Sequence, residues 1–291
     1  MASFINTNMA SLNTQRNLTA SQAALNTSIQ RLSSGMRVNG AKDDAAGFAI
    51  ANRMDSVIRG QGVAIRNAND AISFSQTAEG AMSKIADNLQ RMRELAVQAA
   101  NGTNGSDDRV SLNTEFAQLQ DEVSRITTNT KFNGQSVLDG VAHSFQIGAG
   151  TGIDNQIIIP GADIAKTTSA TSKAADVTAT LSSGSTPASD GINILDQVNA
   201  SAAMDQIDLA LTEVNTQTIK QGAHQNRFQA VIATLQVSIE NQTTARSRIM
   251  DTDYAAETAT MARGQIMQQA GMAMLAQANQ LPNGVMALMK G

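Results

Sequence analysis

Apolar residues recur at steps of four and three along most of the chain, and the register of those steps predicts the elements. Near the C-terminus Met267, Gly271, Met274, Ala278, Leu281, Val285 and Leu288 form an unbroken heptad series, which lays one apolar stripe along a helix. Charge is nearly absent there: beyond Glu257 only Arg263 and Lys290 are ionisable side chains. A helix so apolar and so poor in salt-bridging residues needs a partner along most of its surface to persist in water. The N-terminus offers a match. Leu18, Gln22, Leu25, Ile29, Leu32 and Met36 keep the same spacing, after a shorter run of Ile5, Met9 and Leu12. From Met1 to Ala41 there are three arginines, Arg16, Arg31 and Arg37, and no acidic residue. The two segments predict sticky terminal arms that pair with each other and with copies from neighbouring molecules. Most domain ends fray, and that position favours assembly arms over ordinary core helices.

Between the arms, Asn39-Gly40 marks a break, and Asp43 or Asp44 suits the N-cap of a following helix. That helix is expected from about Ala45 to Ala100, with Met54, Ile58, Gln61, Ile65, Ala68 and Ile72, then Ile85, Leu89, Met92, Ala96 and Ala99, on its seam. Asn101 to Gly105 is a strong turn signal. Ser106, Asp107 or Asp108 is expected to cap a shorter, antiparallel helix bearing Leu112, Phe116, Leu119, Val123 and Ile126. The period then changes. Asn133-Gly134 and Asp139-Gly140 read as hairpin turns, and Ser144–Ile147 and Gln156–Ile159 as short strands. Gly148 to Gly152 matches neither phosphate-loop pattern and reads as a hairpin connection. Gly161 to Asp190, rich in Ala, Ser and Thr, predicts a variable exposed insert. One register then holds from Ala200 through Ile207, Val214, Gln221, Phe228 and Leu235 to Ile249. From Ile207 to Ile249 this helix would span roughly 65 Å at about 1.5 Å per residue, which predicts an elongated molecule. Asp251-Thr252-Asp253 lacks the Gly and Glu of a calcium loop and reads as the cap of the last helix.

The expected fold is mainly α: an elongated antiparallel bundle of long helices with paired terminal coiled-coil arms and a small β-hairpin insert. Its segments are an N-terminal arm (1–44), long helices of a rod-like domain (45–140), a β-hairpin and Ser/Thr-rich exposed insert (141–192), a returning helix (193–250) and a C-terminal arm (251–291).

Composition narrows the function. The chain has 291 residues, net charge −4, no Cys, no Trp and one Tyr. Scarce aromatics suit the narrow cores of helical bundles, and the missing Cys removes thiol catalysis, disulfides and Cys-ligated metals. Mild acidity argues against general nucleic-acid binding. No run of about 18 apolar residues suggests membrane insertion, and the start lacks the basic and apolar regions of a cleaved signal peptide. The histidines, His143 and His224, are far apart and outside any H-E-x-x-H. No catalytic, cofactor or metal residues are therefore assigned, and an enzyme is not expected. A membrane-active C-terminal helix would carry Lys and Arg on its polar face, which this one lacks.

Several stretches together carry a resemblance to a known family. They are Ile5-Asn6-Thr7-Asn8, Gln15-Arg16-Asn17-Leu18, Arg31-Leu32-Ser33-Ser34-Gly35, Ala41-Lys42-Asp43-Asp44-Ala45-Ala46-Gly47, Ala49-Ile50-Ala51-Asn52-Arg53, Leu89 to Gln98, Ser247 to Ala255 and Leu275 to Pro282. The chain resembles bacterial flagellin over residues 1–140 and 193–291. The resemblance implies a filament subunit for motility, located in the extracellular flagellum and exported unfolded through the flagellar channel for assembly at the distal tip. It also implies terminal arms that line the lumen and order on assembly. The implied partners are further copies of the chain, an export chaperone, the filament cap and hook-junction proteins, and the flagellin-sensing Toll-like receptor of hosts. Carried over residue by residue, Gln90, Arg91, Glu94, Leu95 and Glu115 are the implied inter-subunit and receptor-recognition residues. The terminal-arm seam rests on Leu18, Leu25, Ile29, Leu32, Met267, Met274, Ala278, Leu281, Val285 and Leu288. A hook–filament junction protein shares the arm pattern, but the motif density around Leu89 to Gln98 favours flagellin. The short insert and the Met-rich, Gly-ending terminus depart from the family pattern.

Overall fold

The computed structural model describes residues 8–161 and 192–289, with side chains described as far as Gln280. Five long helices and two small antiparallel hairpins account for most of the described residues. The helices are α1 (Met9–Ser34), α2 (Ala45–Ala99), α3 (Ser106–Asn129), α4 (Gln197–Met250) and α5 (Tyr254–Met289). Between α3 and α4 lie β1 (Lys131–Phe132), β2 (Gln135–Ser136), β3 (His143–Gln146), a 3-10 turn (Ile153–Asn155) and β4 (Gln156–Ile159). The chain is thus mainly α, as the periodicity predicts. The expected Ser/Thr-rich insert lies almost wholly outside the described residues.

Helix starts follow capping chemistry. Asp44, immediately before α2, accepts the Gly47 N–H at 2.9 Å, satisfying one of the orphan donors of the first turn. Asp43 instead closes the preceding loop, accepting the N–H groups of Asn39 and Gly40 at 3.0 and 3.2 Å. Asp253 caps α5 by accepting from Ala255 and Ala256. At α3 the expectation is corrected: Gly105 is the N-cap, and Asp108 reaches back to its N–H at 3.0 Å. That reciprocal half of a capping box leaves the cap position itself free for a residue without a side chain.

The chain divides into two compact units, Met1–Ile58 with Glu240–Gly291, and Arg59–Ile239. In the second, the seams of α2, α3 and α4 meet. Ile85, Leu89, Met92, Ala96 and Ala99 are buried against Phe116 and Val123 and against Ala200, Ile207 and Val214. Arg93 of α2 holds Asp208 of α4 through two hydrogen bonds, at 2.6 and 3.2 Å. That hydrogen bond keeps the Asp208 carboxyl below its ordinary pKa, with attraction to the Arg93 charge adding to it. Further along the same helices Gln225 donates to Glu79 and Gln61 to Ser238.

The hairpins complete this unit. Asn133 (φ 48°) and Gly134 (φ 80°) both lie in the left-handed region, which a two-residue turn matched to strand twist requires. β3 pairs with β4 so that His143 faces Ile159 and Gln146 faces Gln156. Ile157 and Ile159 alternate inward, while Ile158 faces out. Four of the seven phenylalanines converge here from four different elements. The Phe74 ring meets Phe132 at 6.1 Å and Phe145 at 5.7 Å, and Phe145 meets Phe228 at 5.9 Å, all edge to face.

In the other unit α1 and α5 run antiparallel. Their hinge ends are stitched by Arg37 N–H to the Met250 carbonyl (2.6 Å), Thr252 N–H to the Gly35 carbonyl (3.0 Å) and the Arg37 guanidinium to the Ile249 carbonyl (2.9 Å). Gly35 ends α1 in the left-handed conformation, φ 70°, with the Tyr254 hydroxyl 3.0 Å from where a Cβ would stand. Both geometry and space call for glycine there.

Candidate functional site

The arms present two distinct faces. On α1 the residues turned toward α5 are Ser11, Thr14, Leu18, Ser21, Leu25, Ser28 and Leu32, buried or half-buried in an unbroken four-three series. On α5 they are Met261, Gly264, Gln268, Gly271, Leu275 and Ala278. The packing is knob into gap. A Cβ on Gly264 would stand 3.4 Å from the Leu25 side chain, and one on Gly271 would stand 3.1 Å from Leu18 Cδ1. At the far end Asn8 donates to the Ala278 carbonyl (2.7 Å), and the Ser11 hydroxyl donates to Asn279 (2.8 Å). Arg31 and Glu257 form an ion pair at 3.7 Å nearer the hinge.

Within one chain, only part of the series expected from periodicity lies between the two arms. Leu18, Leu25, Leu32 and Ala278 do face the other arm. Ile29 is 47% exposed, and Met267 and Met274 are 54% and 63% exposed. The in-chain seam uses Ser28, Gln268 and Leu275 in their place. Small and apolar residues occupy nearly every side of α5, so the four-three template fits more than one face. Shape makes the choice, because leucine side chains seat closest where the partner helix offers glycine. Side chains of Leu281, Val285 and Leu288 lie outside the described residues.

On the second unit, three of the five residues expected to serve recognition come together. The Arg91 guanidinium donates to Glu94 at 2.9 Å and, through two nitrogens, to Glu115 of α3 at 2.9 and 2.8 Å. Those hydrogen bonds, Glu94 first and then Glu115, raise an already high arginine pKa. Gln90 is exposed beside it. Leu95 departs from expectation: at 1% exposure it belongs to the helical core, because it falls on the inward side of the same seam as Met92 and Ala96. It cannot touch a partner while α2 stays packed. Of the histidines, His143 packs against the Phe74 ring at 4.8 Å. His224 is pushed down by burial and then by the Arg227 charge, which favours its neutral form. Among the described residues no acidic, His or Cys group of three is placed to hold a metal, and no helix is long and apolar enough to cross a membrane.

Comparison with known proteins gives these surfaces a context. Residues 5–143 match the bacterial flagellin N-terminal helical region, and residues 204–289 match the C-terminal helical region. Flagellin 1 of Proteus mirabilis is 38% identical, with all of both chains covered. The chain belongs to the bacterial flagellin family. A flagellin of Xenorhabdus nematophila is 41% identical over all of both chains. One of Halalkalibacterium halodurans is 40% identical, with 98% of this chain and 99% of that one covered. Among solved structures, Bacillus cereus flagellin is 29% identical with a TM-score of 0.47, covering 58% of this chain and 88% of that one. The alignment with the Proteus protein runs over 367 positions against 291 residues here, so this flagellin-family chain lacks a substantial stretch that the relative carries. Membership makes it a structural subunit of the flagellar filament, a family of polymer-forming rather than catalytic proteins, with the extracellular filament as its place of work.

Proposed function

We propose that the chain is exported unfolded, with an export chaperone, and adds at the distal end of a growing filament beneath the cap, with hook-junction proteins at the filament base. The observation that carries this reading is the bare face of the arms. α1 and α5 cover each other along one side only, and leave Leu12, Ile29, Ile266, Met267, Met272 and Met274 exposed. An apolar surface of this kind marks an interaction site. In this reading neighbouring subunits cover it. Ordering of the arms is then coupled to binding, and the entropy lost is offset when several copies close over them.

The test compares the full chain with residues 45–250 on short filament seeds, followed by sedimentation and electron microscopy. Only the full chain is expected to extend the seeds into long tubes. Equal growth of the truncated form would remove the role of the arms. A full chain that stays monomeric on seeds would point to a junction component instead.

Recognition of free monomer by the host Toll-like receptor is a second reading, supported by the exposed Gln90, Arg91, Glu94 and Glu115 cluster. Leu95 would then act by holding α2 in place. An Arg91→Ala monomer is expected to lose most receptor activation in a reporter-cell assay while keeping its helical circular dichroism. Activation at the level of the unsubstituted protein would rule this surface out.

A further inference from the structure

The chain has no Cys and no Trp but fourteen Met, so thioethers are its principal readily oxidised groups. Among the described residues their burial runs from complete, through half-buried Met36, Met54, Met204 and Met261, to mostly exposed. In the Arg59–Ile239 unit Met82 and Met92 are fully buried. The methionines that stand out among the exposed large apolar residues are Met9 (60%), Met267 (54%), Met272 (53%) and Met274 (63%). All four lie on α1 or α5. Met267 and Met274, seven residues apart, share one face of α5.

Helical packing does not need methionine at these positions. Leucine has a similar volume and an equal or better helix propensity, and the faces concerned are not packed within the chain. What methionine adds is a flexible, polarisable surface and a reactive sulfur. Oxidation turns that sulfur into a polar, chiral sulfoxide. On a surface that a neighbour must cover, the sulfoxide oxygen would be buried without a donor, and an unsatisfied acceptor opposes association.

We propose that Met9, Met267, Met272 and Met274 form an oxidation-sensitive modification site, at which peroxide converts the thioethers to sulfoxides and stops the free subunit from adding to a filament. The step is balanced. A sulfur lone pair attacks one peroxide oxygen, the O–O bond breaks and an S–O bond forms. The second oxygen leaves as hydroxide and takes up the remaining proton to give water. Sulfur loses two electrons and hydrogen peroxide gains them. The consequence rests on the assembly reading above, in which subunits in the filament cover these side chains and only the free chain exposes them. The site therefore acts before assembly.

The experiment treats full-length monomer with hydrogen peroxide, maps sulfoxides by peptide mass spectrometry, and measures growth on seeds. The four arm methionines are expected to oxidise well before Met82 and Met92. Seeded growth should then fall at least about tenfold, from the penalty of a buried unsatisfied acceptor. A mixture of methionine sulfoxide reductases A and B, which covers both epimers, should restore it. A variant with Leu at all four positions should grow untreated and keep growing after peroxide. The proposal is overturned if oxidised protein grows as fast as untreated protein, or if the Leu variant loses growth to peroxide equally. Should the Leu variant fail to grow at all, reductase rescue decides: recovery supports the site and its absence overturns it. Untreated protein that never extends seeds would sink the assembly reading itself, whatever the sulfoxide map shows.

Discussion

Phe74→Ala is expected to destabilise the Arg59–Ile239 unit by about 3–5 kcal/mol, the usual cost of emptying a buried aromatic site. Phe74 lies at the centre of the ring cluster, touching Phe132, His143 and Phe145, and through Phe145 it connects to Phe228. It projects from a long helix into the place where both hairpins meet the bundle, so the gap cannot close by a small shift of one strand. A loss of this size is a large share of the stability of an ordinary domain. Urea unfolding followed at 222 nm should show a clearly lower midpoint, and amides of β3 and β4 should exchange faster. Phe74→Leu keeps most of the volume and should fall in between. A Phe74→Ala protein within about 1 kcal/mol of the original would mean that the edge-to-face contacts add little and the hairpins are held by other means.

The ring cluster also marks a limit of reading a fold from periodicity. The helices of the Arg59–Ile239 unit were legible because each has long amphipathic runs. Ile85, Leu89, Met92, Ala96 and Ala99 are all buried as their spacing predicts. Phe74, Ala78 and Met82 sit in the stretch between the two runs assigned to the α2 seam, where the expected series was interrupted. Phe132 and Phe145 come from short strands, whose partners on the helices no helical period can reveal. Leu95 illustrates a different limit. A family pattern carries residue identities but not burial, and here the helical period places the side chain inward. In the arms the packed face differs from the apolar series for a third reason. Their buried face includes Ser11, Ser28 and two glycines, which a search for apolar residues passes over, while exposed Ile29, Met267 and Met274 satisfy it. The face left bare looks more like a core than the face that is packed. That is what a surface waiting for a partner from another molecule would show.

Gly271→Leu tests whether close helix approach holds the arms together. Helix propensity alone would favour the change, since leucine is better than glycine in a helix interior by almost 1 kcal/mol, roughly. Packing opposes it, because even a Cβ at this position stands 3.1 Å from Leu18 Cδ1, and a full leucine must push α1 aside. Overpacking of this kind costs about 1–3 kcal/mol, and the arms, short of ion pairs, have little to spare. Seeded growth of Gly271→Leu is therefore expected to fall by roughly 10- to 100-fold, on the scale of about 1.4 kcal/mol per factor of ten. Leu18→Ala should also weaken growth, by removing the knob. Combining the two moves the large side chain from α1 to α5 and restores the contact volume, so the double variant should recover most of the rate. Mutual rescue is the signature of direct contact. Losses that simply add in the double variant would show that Leu18 and Gly271 contribute separately. The arms would then have to be held by the polar ties at Asn8, Ser11 and Arg31 and by the hinge hydrogen bonds, with subunit contacts supplying the rest.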